Sequence, residues 1–234
     1  MALYAIGDLH LSSQVECPVD MTRLGSEWVD HEKKIDHNFR KEITDDDTLV
    51  LVGDHSWGKK LENTVDDLEY IASLPGRKIL TRGNHDLFWQ VKKTDSLNRM
   101  YEGKLEFLQN NFLAYGDYAL IGSKGYTFEN KDTYEHALML VGRETERLEY
   151  SFELAKNAGY SKFIMFIHYP PTNILQKVSA FTRLAERYHV EHVVYAHCHG
   201  RKRFDDSLKG TVNGVTYHLT SGDYLNWHPE KILD

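Results

Sequence analysis

Cysteine is scarce: Cys17 and Cys198 are the only two in 234 residues. Two thiols cannot build a disulfide framework, so a chain of this length must rely on a packed core. Long hydrophobic runs are also lacking. No apolar stretch approaches the roughly 20 residues of a membrane-spanning helix. The opening MALYAIGDLH has no basic n-region and reads as a strand, not a signal peptide. A cytoplasmic protein without a membrane partner is the expectation. Excess positive charge is missing too. The net charge is −7, whereas a general nucleic-acid binder presents a basic face, so bulk nucleic acid is not an expected partner. Internal repeats, low-complexity segments and Pro/Gly/Ser-rich linkers are absent, and residues 1–234 read as one domain.

What the chain has in plenty is histidine, 13 residues. Their placement follows a pattern. Five short aliphatic runs each end in a polar cluster. LYAI (3–6) leads into Gly7-Asp8-Leu9-His10, and TLVLV (48–52) into Gly53-Asp54. KILT (78–81) leads into Arg82-Gly83-Asn84-His85-Asp86, KFIMFI (162–167) into His168-Tyr169, and HVVYA (192–196) into His197-Cys198-His199-Gly200. Such runs fit strands covered on both faces. Apolar spacing predicts helices over 27–43, 61–74 and 133–158, the last with Asp132 and Glu135 as a capping box and Gly159 just past its end. Strands alternating with helices give an α/β fold. Gly116-Asp117 and Asn213-Gly214 mark hairpins that add antiparallel strands, so the sheets are mixed. The stretch 12–35 is irregular and reads as a rim or a surface excursion.

The polar clusters share one position, the carboxyl ends of strands, where sites in α/β sheets assemble. Asp8, His10, Asp54, Asn84, His85, His168, His197 and His199 collect there. These oxygen and nitrogen donors suit Mn, Fe, Zn, Co or Ni. On an extended segment residues i and i+2 point the same way. Asp8 and His10 could then reach one ion, and Cys198 would turn away from His197 and His199. Singly, each fragment is more often a turn or a structural histidine; all five, in order behind their own strands, are harder to explain so.

GDLH (7–10), GD (53–54), RGNHD (82–86), His168 and AHCHG (196–200) resemble the ordered motifs of the calcineurin-like metallophosphoesterase superfamily: D-x-H, G-D, G-N-H-D/E, H and G-H-x-H. The likeness runs from residue 3 to about 222 and is nearest to small bacterial predicted phosphohydrolases. It implies a four-layer αββα sandwich with mixed β-sheets, metallo-dependent phosphatase-like, and two divalent metal ions, manganese favoured. Asp8, His10, Asp54 and His199 would hold the first ion. Asp54 would bridge, and Asn84, His168 and His197 would complete the second. The implied activity is hydrolysis of a phosphomonoester or phosphodiester, a small phosphorylated substrate, by direct attack of a metal-bridging hydroxide, with His85 as the catalytic residue.

Two departures stand out. Many members read G-D-x-x-D-R at the second motif, but Trp57 and Gly58 fill the last two places, removing a carboxylate and a phosphate-gripping arginine. Asp86 could orient His85 instead, and Arg201, Arg82 or Lys59 could meet phosphate. Ala196 also stands where the pattern has glycine. Two rival readings fit the motif order less well. Amidohydrolases place H-x-H early, whereas it comes late here. A non-catalytic metal-binding or protein-interaction scaffold on the same fold should have lost ligands, and none is lost. The sequence leaves the oligomeric state open.

Overall fold

Strands that bury both faces dictate the layers. The computed structural model describes residues 1–128, 132–174 and 176–234. In chain order the elements are β1 (Leu3–Ile6), α1 (His31–Glu42), β2 (Thr48–Val52), α2 (Val65–Ser73), β3 (Arg77–Thr81), α3 (Thr94–Met100), β4 (Glu106–Leu108), β5 (Phe112–Tyr115), β6 (Tyr118–Ser123), α4 (Tyr134–Asn157), β7 (Lys162–Ile167), α5 (Ala180–Arg187), β8 (His192–Tyr195), α6 (Arg201–Asp206), β9 (Gly210–Val212), β10 (Val215–Leu219) and β11 (Glu230–Leu233). One sheet has the order β11-β1-β2-β3-β4 and the other β5-β6-β7-β8-β10-β9. Neighbours within each run parallel, except β11, β5 and β9, which pair antiparallel at the edges.

The side-chain alternation of a strand assigns each residue to a layer. Val50 and Val52 of β2, Ile164 and Phe166 of β7, and Val194 of β8 point into a core between the sheets. Leu49 and Leu51 point the other way, toward the cluster holding Ile35 and Phe39 of α1, Leu68 and Ile71 of α2 and Leu97 of α3. Phe163, Met165 and Ile167 pack with Leu148 and Phe152 of α4 and Phe181 and Leu184 of α5. The result is helix, sheet, sheet, helix, as the α/β sandwich expectation requires.

Helix starts differ from the sequence reading for local reasons. The expected helix 27–43 begins at His31 because Asp30 takes a left-handed backbone, φ 52°. The expected 61–74 splits into a 3-10 turn and α2 at Thr64. Thr133, not Asp132, caps α4, accepting from the His136 amide at 3.3 Å; Asp132 instead accepts from the Tyr126 hydroxyl. Gly159 closes α4 with φ 95°, its N–H reaching Lys156 O and that of Tyr160 reaching Ala155 O, a Schellman pairing.

Candidate metal centre

Both sheets deliver their carboxyl ends to one seam. The Gly7 amide donates to Thr220 O at 2.7 Å, and the Gly222 amide to Gly7 O at 3.1 Å, so the end of β1 is tied to the end of β10. The loop after β1 runs beside the loop after β2: Asp8 N donates to Gly53 O (3.0 Å) and His10 N to Asp54 O (2.9 Å). A Cβ on Gly7 would lie 2.5 Å from the Cβ of Ala196. The missing methyl at Gly7 therefore makes room for Ala196. Ala196 is not among the residues with positive φ, so alanine replaces the pattern's glycine without strain.

The extended-segment argument does not describe this loop. Asp8 (φ 63°), His10 (φ 45°), Asp54 (φ 55°) and His197 (φ 70°) are all left-handed. Tight loops after buried strands force that bend, and Asp and His tolerate it better than most residues. It aims Asp8, His10 and His199 at one point and Asp54, His168 and His197 at another. Within each group the donor atoms lie within 4.8 Å of one another. Asp54 faces both groups: Oδ2 is 3.2 Å from His168 Nε2 and 3.8 Å from His10 Nε2.

The donors are arranged for a cation. His168 Nδ1 lies 2.9 Å from Val52 O, an acceptor, so the proton of a neutral ring sits on Nδ1. Its bare Nε2 then faces two more acceptors, Asn84 Oδ1 at 2.9 Å and Asp54 Oδ2. That contact is favourable only with a cation among them. Asp8 Oδ1 and His10 Nδ1 are buried without hydrogen-bond partners among the described residues. With protons as the only cations, burial opposes charge on His168, yet Asp54 outweighs it and lifts the ring to about 9. Burial likewise opposes charge on His199, but Asp8 and then Asp223 raise it. Burial also works against ionised Asp54, but His168 leads the charges that hold it well below the carboxylate range. His10 is pushed well below the imidazole range by burial. The donor set and its stranded atoms fit divalent ions.

His85 is half-buried, and its backbone N–H donates to Asp54 Oδ1 at 2.7 Å. Its ring packs 4.4 Å from Trp57 and 5.4 Å from His10, centroid to centroid. Trp57 also stacks on His10 at 4.7 Å. The indole thus braces His85 from the place where the family pattern has a carboxylate. Asp86 does not orient His85. Its carboxylate accepts the backbone amides of Asp54 (2.9 Å), His55 (2.8 Å) and Gly83 (2.7 Å), joining the second and third motif loops. Gly83 is needed for that closeness: a Cβ there would sit 2.1 Å from Asp54 Oδ1. Asp223 lies 3.1 Å from His199 Nδ1 and accepts from the Trp28 indole at 3.4 Å. That fixes the ring so that Nε2 faces Asp8. Asp67 accepts from Ser56 Oγ and, at 3.0 Å, from Ser13 N, fastening the loop that carries Trp57. Tyr224, beside Asp223, is exposed. His55 turns inward to Thr81 O at 2.9 Å. Lys59 and Arg201 are exposed.

Cys198 is buried with the α4–α5 core and belongs to neither donor group. Burial pushes its thiol up to about 11, the reverse of a reactive or metal-binding thiolate. Cys198→Ser should leave metal content by elemental analysis within error of the parent, at a cost of about 1 kcal/mol in stability. Loss of a full metal equivalent would make sulfur a ligand.

A family model described as calcineurin-like phosphoesterase matches residues 1–201. The chain belongs to that family and is a metal-dependent hydrolase. The family implies divalent metal ions, and the two Asp/His groups are the candidates to hold them. Among solved structures the chain is similar to the phosphopantetheinyl hydrolase of Mycobacterium tuberculosis, at 13% identity and a TM-score of 0.59, over 99% of this chain and 95% of that one. It is also similar to the sulfate thiohydrolase SoxB of Thermus thermophilus, at 13% identity and a TM-score of 0.53, over 95% of this chain but 52% of that one, so it spans about half of SoxB. At such identities these likenesses speak for the fold alone. No curated protein matches. No helix among the described residues is long and apolar enough to cross a membrane.

Proposed function

We propose that the chain is a dinuclear phosphoesterase acting in the cytoplasm on a small phosphorylated substrate, a phosphomonoester or phosphodiester, by direct in-line attack of water on phosphorus. The observation that carries this reading is Asp54, whose Oδ2 faces a histidine of each donor group at 3.2 and 3.8 Å. Asp8, His10 and His199 would hold one ion, Asn84, His168 and His197 the other, and Asp54 both. When bound, two divalent ions supply Lewis-acid charge for the phosphate oxygens and lower the pKa of water toward about 7. The oxygen and nitrogen donors, with no thiolate, accept Mn, Fe, Zn, Co or Ni, and manganese is the ion proposed. Two carboxylates against two divalent ions leave the centre positive, which suits a phosphate anion.

His85 would protonate the leaving oxygen or stabilise the charge that develops on it. Its backbone is anchored to Asp54 while Trp57 and His10 restrict its ring, so it is placed without being a ligand. His85→Ala should keep two metals per chain and lose roughly 10²–10⁴-fold in turnover of an aryl phosphate. Loss of both metals with the activity would make His85 structural. The broader test compares aryl monoester and diester hydrolysis with added manganese. Turnover of neither, with both sites filled, would exclude the phosphoesterase.

A further inference from the structure

Among the described residues, a cluster of cations lies against the His168 side of the centre with few anions beside it. Ser123, the last residue of β6, pairs with Ile167 of β7, so Lys124 leaves its strand beside His168. The Lys124 carbonyl accepts from Tyr169 N at 3.0 Å. Its ammonium sits 5.3 Å from the Tyr169 ring centroid, and that ring is 4.3 Å from the ring of His197. Ammonium, tyrosine and candidate ligand therefore adjoin in space. From the facing sheet, Arg82 follows β3 two residues before Asn84. Arg143 and Arg147 approach from α4.

Among the described residues the buried acid on this side is Glu144, and it is already engaged. Its Oε1 lies 2.5 Å from Arg147 and 3.6 Å from Arg143, and its Oε2 accepts from Ser123 Oγ at 2.7 Å. Asp86 is taken by three backbone amides. Among the described residues, Arg82 Nε is buried with no hydrogen-bond partner, and Lys124 has only the faces of Tyr169 and Tyr126. Arg82 and Lys124 are half-buried, and a cation partly removed from water and short of a counter-ion is a place where a ligand can supply the anion. Tyr126 continues into a cavity of about 470 Å³ lined with Phe128, Tyr134, Leu138 and Phe181, room for an organic body.

We propose that Lys124 and Arg82 form an anion subsite beside the metal centre, and that the substrate is an organic phosphoester bearing a second anionic group. The inference rests on the phosphoesterase reading and narrows its substrate.

The test is calorimetric, on manganese-loaded protein at fixed free manganese, with two non-hydrolysable probes, propylphosphonate and propane-1,3-diphosphonate. They differ by one anionic group. The diphosphonate should bind at least ~10-fold more tightly, the size of one charge-assisted contact. Lys124→Ala should reduce that preference to about threefold or less, and Lys124→Arg should retain most of it. Equal binding of the probes to the parent protein, or a preference unchanged in Lys124→Ala, overturns the subsite and leaves the phosphoesterase standing if aryl phosphates still turn over. Binding of neither probe with both metal sites filled removes both readings.

Discussion

Asp54→Ala is expected to abolish metal-dependent phosphate ester hydrolysis, by at least ~10³-fold, above what a single electrostatic contact supplies. Asp54 belongs to one donor group, its Oδ2 also faces His10 of the other, and it is almost fully buried. Its other oxygen accepts the His85 amide. Removing it sets His10 and His168 against one another with no anion between them, and each ion would then have to neutralise its site with one carboxylate or none. Elemental analysis should fall from two metals per chain toward one or none. Asp54→Asn keeps the shape and could retain one ion, but it should stay at least ~10²-fold below the parent. Full turnover with two metals retained in Asp54→Ala would mean that the centre lies elsewhere.

The second large effect comes from a residue that touches no candidate ion. Asp86→Ala would strand three buried amides, those of Asp54, His55 and Gly83, at about 1–3 kcal/mol each. For a chain of this size that corresponds to roughly 10 °C or more in melting temperature. Because the freed amides belong to the loops that aim Asp54 and Asn84, metal affinity should fall together with stability, even with excess manganese in the assay. Asp86→Asn should recover part of both, since the amide keeps one acceptor oxygen. A melting temperature within about 2 °C of the parent in Asp86→Ala would show that water replaces the carboxylate, and that the loops hold their shape unaided.

How much of this could be read from the chain depends on whether the signal is local. LYAI, TLVLV, KILT and KFIMFI are strands because an aliphatic run short of helix length has to be covered on both sides, and two faces of core are what they meet. Asn213-Gly214 is a hairpin because both residues accept positive φ, and they adopt 51° and 81°. β11 gave no such signal: it is an edge strand with one buried side chain, Ile232, paired to β1 from the far end of the sequence. At the centre, the donor residue types at strand ends were legible, but the geometry that gathers them was not. The reading used extended spacing, whereas the loops bend left-handed. Asp86 and Trp57 escaped for a common reason. Asp86 serves amides 31 and 32 residues away, and Trp57 braces a ring that comes to it from another loop, and no spacing rule encodes such partners. The family's motif set points to donor residues, and only coordinates show what each one leans on.

The left-handed backbone at Asp8, His10, Asp54 and His197 has a consequence for engineering. Each costs the fold on the order of 1 kcal/mol relative to a residue free to adopt it. Glycine would relieve the bend, but it would delete a donor each time. At Asp8 and Asp54 it would also strand the His197 and His85 amides, which their carboxylates hold at 2.9 and 2.7 Å. Backbone relief and lost hydrogen bonds then pull in opposite directions, so a search for hardier variants gains most away from these four positions.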